Sequence, residues 1–376
     1  MQDAQSPTVR EITTLLDTWA PFRLQASYDN SGLLVGRPEA PVRKVLLALD
    51  CTEALIAEAV EKDAQCVIVH HPIIFKGLKR LTGSNPVERT VLAAIRHDIA
   101  IIAIHTNLDH VAHGVNHKFA TTLGCLPETL RILQPLQGEL LGLTFYTPHD
   151  HAEAVEEAVF AAGGGYVGQY DQCAFRLDGQ GSFRPLAGAD PFIGQPGERS
   201  TVAERRSELV VPRWRLQAVL AAMRAAHPYE EVAHQVVALE HAHQDVGAGM
   251  VGNLPAPLSE EAFLDQAKSN LPAPLIRHTR LLGRPIRRVA VCGGSGSFLL
   301  EDAVAAGADI FVTADFKYHE FQGADDRIVI ADVGHFESEW RTGEIIQAHL
   351  AEHLNEKFPN FAVHLARENH NPVHYR

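Results

Sequence analysis

The stretch that most constrains this chain is Val67-Ile68-Val69-His70-His71-Pro72, where an apolar run ends in two adjacent histidines and a proline. Val67 to Val69 reads as a buried strand. Pro72 has no N–H for a sheet ladder and a fixed φ, so the chain turns just after the histidines. The imidazoles therefore stand at the carboxyl end of a strand, the edge at which open α/β sheets bind ligands. Successive residues of a regular strand point to opposite faces, so such a pair would not serve one ion. At a strand-to-turn transition the rings splay instead towards two neighbouring ions. Taken alone, a His-His-Pro turn also has a purely structural reading.

The rest of the first half repeats this grammar. Pro7 to Trp19 has helical spacing, with Ser6 as expected N-cap and Pro7 at the first helical position. Tyr28 to Gly36 is a polar turn entering a short strand, in which Asp29 and Asn30 either contact a ligand or hold the turn. Val45 to Asp50 is a strand and Thr52 to Asp63 a helix, so the chain reaches His70 through a parallel strand–helix–strand unit. Val87 to His97 is a further helix, and Ile99 to His105 an apolar strand of the kind buried on both faces. The polar turn Thr106-Asn107-Leu108-Asp109 then puts a carboxylate four residues beyond His105, at the same sheet edge as His70 and His71.

From Gly247 onward the α/β pattern returns after a break. Ile286 to Val291 is a strand, Cys292 to Ser297 a glycine-rich turn and Phe298 to Ala306 a helix. The glycine spacing matches neither the Walker A nor the dinucleotide fingerprint, so a tight turn competes with a phosphate cradle. Asp309 to Thr313 is a strand delivering Asp315, Lys317 and His319. Ile328 to Asp332 leads through a turn into a long helix ending near Leu354, with His335 and Glu339 on one face at its start.

Between the halves, Leu140 to Pro148, Ala152 to Ala162, Cys173 to Leu177, Arg205 to Val211, Leu216 to His227 and Val236 to Leu239 read as strand, helix, strand, strand, helix, strand. That order is ferredoxin-like. His227-Pro228-Tyr229-Glu230-Glu231 reads as a structural turn. The expected division is a two-lobed α/β metal-binding domain from residues 1–137 and 246–376, with an α+β domain inserted at 138–245.

Composition narrows the function. A chain of 376 residues, 46% apolar, supports more than one core. A formal charge of −13 with dispersed cations argues against a nucleic-acid backbone as partner. The opening residues carry no basic and apolar leader, and no apolar run approaches the ~20 residues that span a bilayer, so neither export nor a membrane is expected. Five scattered cysteines without a C-x-x-C pair argue against disulfides or a thiolate zinc site and fit a reducing cytoplasm. With 21 histidines, imidazole and carboxylate are the expected metal ligands.

The strand-end groups are His70, His71, His105, Asp109, His335 and Glu339. They exceed one closed tetrahedral ion and suit two divalent ions about 3.5–4 Å apart that share a carboxylate and a water. Zinc, manganese and iron all accept such ligands. Two cations acidify a shared water and stabilise charge on an attacked phosphoryl or carbonyl-like centre.

The chain resembles the NIF-three-like dinuclear-metal-centre proteins, often named GTP cyclohydrolase 1 type 2. The resemblance runs through Asp29-Asn30-Ser31-Gly32-Leu33, His70-His71-Pro72, His105 to Asp109, Gly293 to Gly296, Asp315 to His319 and Gly334 to Glu339. It implies metal ligands at His70, His71, Asp109, His335 and Glu339, with His105 a ligand or close neighbour. It also implies a hexameric ring with metal sites facing an inner cavity. The segments Gly181 to Pro185 and His227 to Glu230 are similar to the PII/CutA-like insert of the longer members. Tyr28 stands where Trp is common and Ala314 where Gly is common, which affects pocket shape rather than ligands. The implied reaction is opening of a purine ring of GTP with release of formate. A phosphoester hydrolase and a non-enzymatic metal-binding or regulatory ring are the alternatives. Asp29, Asn30, Ser295, Lys317 and His319 are the candidate substrate contacts.

Overall fold

In the computed structural model, which describes residues 6–271 and 273–376, the apolar runs Lys44–Ala48, Cys66–Val69 and Ala100–Ala103 lie side by side as parallel strands. Gly32–Val35 flanks them antiparallel on one edge. Ala362–Leu365, from the far end of the chain, adds a fifth strand parallel to Lys44–Ala48 on the other. Short helix-forming segments start where side chains satisfy free N–H groups. Thr52 accepts from the Leu55 N–H ahead of Glu53–Glu61, and Asn85 from the Glu88 N–H ahead of Pro86–Arg96.

The opening helix is Val9–Trp19, starting two residues later than Ser6 and Pro7 imply. Thr8 and Glu11 form a reciprocal capping box there, while the Pro7 carbonyl accepts from the Val42 N–H and so lies outside the helix. Thr106–Asp109 is a short helix rather than a turn.

A second, six-stranded sheet runs in the order Arg277–His278, Val329–Asp332, Ile310–Ala314, Ile286–Ser295, His243–Leu258 and Arg131–Leu136. Its three middle strands from the later half are parallel. Strand alternation sends Val289, Val291, Ile310, Val312 and Val329 into one core and Ala290, Phe311 and Ile330 into another on the opposite face. The expected glycine turn at Cys292 is strand as far as Ser295, with a bulge between Val291 and Ser295. The long terminal helix is two pieces, His335–Glu339 and Thr342–Leu354, because the Thr342 hydroxyl takes the Glu339 carbonyl at the break.

The chain divides into two compact units, residues 1–134 with 246–376, and residues 135–245. The first contains the two parallel-strand cores. The second is one four-stranded antiparallel sheet, ordered Phe175–Phe183, Ser200–Pro212, Leu140–Pro148, His234–Ala238. Helices Ala152–Ala161 and Leu216–Ala226 cover one face and bury Val155, Val159, Val219 and Met223 against Leu143, Phe145 and Val211. The strands at 175–183 and 200–212 are longer than their apolar runs because a nine-residue ladder, Phe175↔Glu208 to Phe183↔Ser200, continues through exposed polar residues. No described helix is long and apolar enough to cross a membrane. The five cysteines are unpaired.

Candidate metal centre

The carboxyl ends of the parallel strands deliver the chemistry. Cys66–Val69 leads into His70 and His71, Ala100–Ala103 into His105 and the helix bearing Asp109, and Val329–Asp332 into His335 and Glu339. All six side chains fall in overlapping groups whose ligand atoms lie within 4.8 Å of one another: His70, His71 and His105; His71, His335 and Glu339; His70, Asp109 and Glu339.

Glu339 belongs to the two groups that contain a carboxylate, and its two oxygens face different partners. Oε2 lies 3.0 Å from His71 Nε2 and 3.1 Å from His335 Nε2. Oε1 lies 3.8 Å from His70 Nε2, which is itself 3.6 Å from Asp109 Oδ1. The adjacent histidines thus address opposite oxygens of one carboxylate, their rings 5.1 Å apart and tilted by 47°. His70 Nε2 and Asp109 Oδ1 are buried without hydrogen-bond partners among the described residues. Two such groups facing each other beyond hydrogen-bond reach, in a setting where an unmet polar atom costs about 1–3 kcal/mol, are what two ligands of one cation look like. The imidazole and carboxylate donors fit a divalent transition metal.

Each imidazole is held by its other nitrogen. His70 Nδ1–H donates to the Ile104 carbonyl at 2.8 Å, which leaves a lone pair on Nε2. His71 Nδ1 pairs with Asp50 at 2.8 Å, His335 Nδ1 with Asp315 at 2.7 Å and His105 Nδ1 with Asp29 at 2.8 Å. Such partners fix the ring's direction and raise its basicity. Asp50 and Asp315 were not among the sequence candidates. The legible signal was position alone, since each follows an apolar strand as the histidines do. Asp315 takes a left-handed backbone, φ +58°, to make its turn.

The charges are interlocked. Burial opposes a proton on His71, but its bonds to Asp50 and Glu339 outweigh this and raise its pKa to about 9. His335, half-exposed and partly desolvated, is raised to about 11 by Asp315 and Glu339. Burial lowers the pKa of His70. Glu339 is held well below the usual carboxylate range, against its burial, by the three imidazoles around it. Burial and the Glu339 charge push Asp109 up.

The candidate substrate contacts are placed unevenly. The Asp29 side chain is fully buried; beyond His105 it accepts from the Thr106 N–H at 3.1 Å and from the Thr106 hydroxyl, so it orients the histidine strand end. Asn30 donates to the Ile74 carbonyl at 2.5 Å and ties down the segment after Pro72. Ser295, Lys317 and His319 are exposed and belong to none of the ligand groups. The glycine segment makes room rather than cradling an anion. Gly293 N–H donates to Asn116 and Gly294 N–H to Ser338, and a Cβ on Gly294 would stand 2.4 Å from Glu339 Oε1.

The description Duf34/NIF3 (NGG1p interacting factor 3) matches residues 7–372. A Halalkalibacterium halodurans protein named GTP cyclohydrolase 1 type 2 homolog is 38% identical over 326 residues, 86% of this chain and 87% of its own. A Bacillus subtilis protein of the same name is 36% identical over 337 residues, 89% of each. The crystal structure of a Bacillus cereus protein related to NIF3 superposes with a TM-score of 0.85 at 32% identity, over 99% of this chain and 100% of that one. Together with the strand-end histidines and their shared glutamate, these likenesses establish that the chain belongs to the Duf34/NIF3 family.

Proposed function

We propose that the chain is a metal-dependent hydrolase that uses two divalent cations and acts on a nucleotide. The observation that carries this reading is Glu339, whose two oxygens face two separate donor sets, His71 with His335 and His70 with Asp109. His70, Asp109 and Glu339 would hold one cation, and His71, His335 and Glu339 the other. When bound, such a pair supplies Lewis-acid activation of water and of the electrophile it attacks. The protein's part is preorganisation, with Asp50, Asp315 and the Ile104 carbonyl fixing the imidazoles before substrate arrives.

The relatives' printed name points to GTP, and one local feature favours a planar substrate. Tyr28 and Phe75 are exposed, with ring centroids 6.1 Å apart, and Phe75 lies 6.3 Å from the His105 ring. A nucleobase stacked there would sit beside the ligand groups. A phosphoesterase is the second reading, served by the same donor set; Lys317 and Ser295 would then supply the phosphate contacts. A third is a non-enzymatic metal-binding or regulatory ring. The wider reading includes a PII/CutA-like, ferredoxin-like insert, supported by its strand order, a hexameric ring and a cytoplasmic location.

The test is elemental analysis followed by assay of the same sample. About two metal equivalents per chain with formate released from GTP is the expected result. Phosphate release instead moves the assignment to the phosphoesterase, and two equivalents without turnover of any nucleotide or phosphoester to the ring without catalysis. Failure to take up metal on reconstitution removes the basis for all three. Sedimentation analysis tests the hexamer.

A further inference from the structure

The segments Gly181-Ser182-Phe183-Arg184-Pro185 and His227-Pro228-Tyr229-Glu230 take no part in the metal centre. Within the inserted unit, both line one cavity of about 450 Å³. Its walls include three aromatic rings. Phe183 and Phe192 lie 6.0 and 6.2 Å from Tyr229, inclined to it by 62° and 48°, so the rings form a cage rather than a flat slot.

Glu204 lines the same cavity and is only 8% exposed. Its Oε1 accepts the Tyr229 hydroxyl at 2.9 Å. The sequence makes room for this carboxylate, since a Cβ on Gly181 would lie 1.9 Å from Oε2. Tyr229 is fixed in turn by His227. The Nε2–H of that buried ring donates to the Tyr146 carbonyl at 2.9 Å, and its Nδ1 accepts the Tyr229 N–H at 3.1 Å. The structural turn thus also aims an aromatic hydroxyl at a buried acid.

A carboxylate and ring faces, which carry negative potential, thus border the same space. A cation answers both. Glu230 and Glu231 also line the cavity, against one exposed guanidinium, Arg184. A bare metal ion is poorly served, because the described ligand groups of three or more all lie in the metal centre.

We propose that this cavity binds a small organic cation, an amine, amidine or guanidine on a compact apolar body. Glu204 is its counter-ion and Phe183, Phe192 and Tyr229 are its walls. The site is independent of the hydrolase reading.

Isothermal titration of the full chain with benzamidine, phenethylamine and the uncharged benzamide tests it. Benzamidine or phenethylamine is expected to bind, and benzamide about tenfold more weakly or worse, the cost of one charge-assisted bond. Glu204→Gln should weaken the cation by a similar factor while leaving metal content unchanged. Phe192 is half-exposed, so Phe192→Ala spares the core and should weaken binding severalfold even if Glu204→Gln disturbs the fold. Equal affinity for benzamide and benzamidine, binding indifferent to both substitutions in folded protein, or no binding of either cation would overturn the proposal.

Discussion

At the scale of residues, the centre turns on which atoms lack a partner. Glu339→Gln keeps the shape of the side chain but removes the shared charge, and metal content measured by mass spectrometry is expected to fall by at least one equivalent per chain. Asp109→Asn should lose metal as well, because Oδ1 has no other partner in the fold. Asp50→Asn is expected to be milder. It leaves every proposed ligand in place but loosens His71, so metal affinity should fall about 10–100-fold with the fold unchanged. The pH dependence has a definite sign. His71 and His335 have pKa values raised to about 9 and about 11, so near neutrality both hold a proton that coordination must expel. Metal uptake in weak buffer should therefore release protons, and affinity should rise with pH through the His71 range; an indicator dye or titration in buffers of different ionisation enthalpy measures both. The clustering of the imidazoles with the two carboxylates was legible in the sequence because apolar strands ending in polar groups mark one sheet edge. Their holders were not. Which aspartate meets which Nδ1 depends on sheet order, and Asp50 reaches His71 only because the parallel pairing Ala48↔Val69 sets their strand ends side by side.

At the scale of elements, the bulged strand Ile286–Ser295 is where local backbone and site geometry meet. Gly294 has φ +61° and its missing Cβ leaves space for Glu339 and the His335 ring. Gly294→Ala should preserve the far-ultraviolet circular dichroism of the protein yet reduce metal content, a combination that separates a displaced carboxylate from general unfolding. In sequence this segment read as a turn, since glycine-rich stretches after a strand usually are. Pairing to Ile310–Ala314 resumes at Ser295 instead, so the glycines form a bulge within the strand. The same competition explains the long strands of the inserted unit, where cross-strand hydrogen bonds carry Phe175–Phe183 beyond its apolar residues. Buried parallel strands such as Cys66–Val69 and Ala100–Ala103 were legible because burial on both faces leaves an unbroken apolar run.

At the scale of the whole molecule, the insertion point is built into a sheet. Arg131–Leu136 and His243–Leu258 are neighbouring strands, so the chain leaves and re-enters the first unit at adjacent places. Replacing residues 137–243 by a short Gly-Ser linker is expected to leave metal stoichiometry intact, as read by elemental analysis, because every candidate ligand lies in the first unit. The edge strand Ala362–Leu365 has an implication of another kind, for the order of events during synthesis. It completes a sheet whose other members are translated within the first 103 residues, and the Asn369 side chain then accepts from the Leu49 N–H. His70 and Asp109 leave the ribosome long before Glu339, and the strand that seals their sheet follows later still. The inserted unit, contiguous in sequence, can complete its fold before Ala362–Leu365 is made, whereas the first unit must wait for that strand.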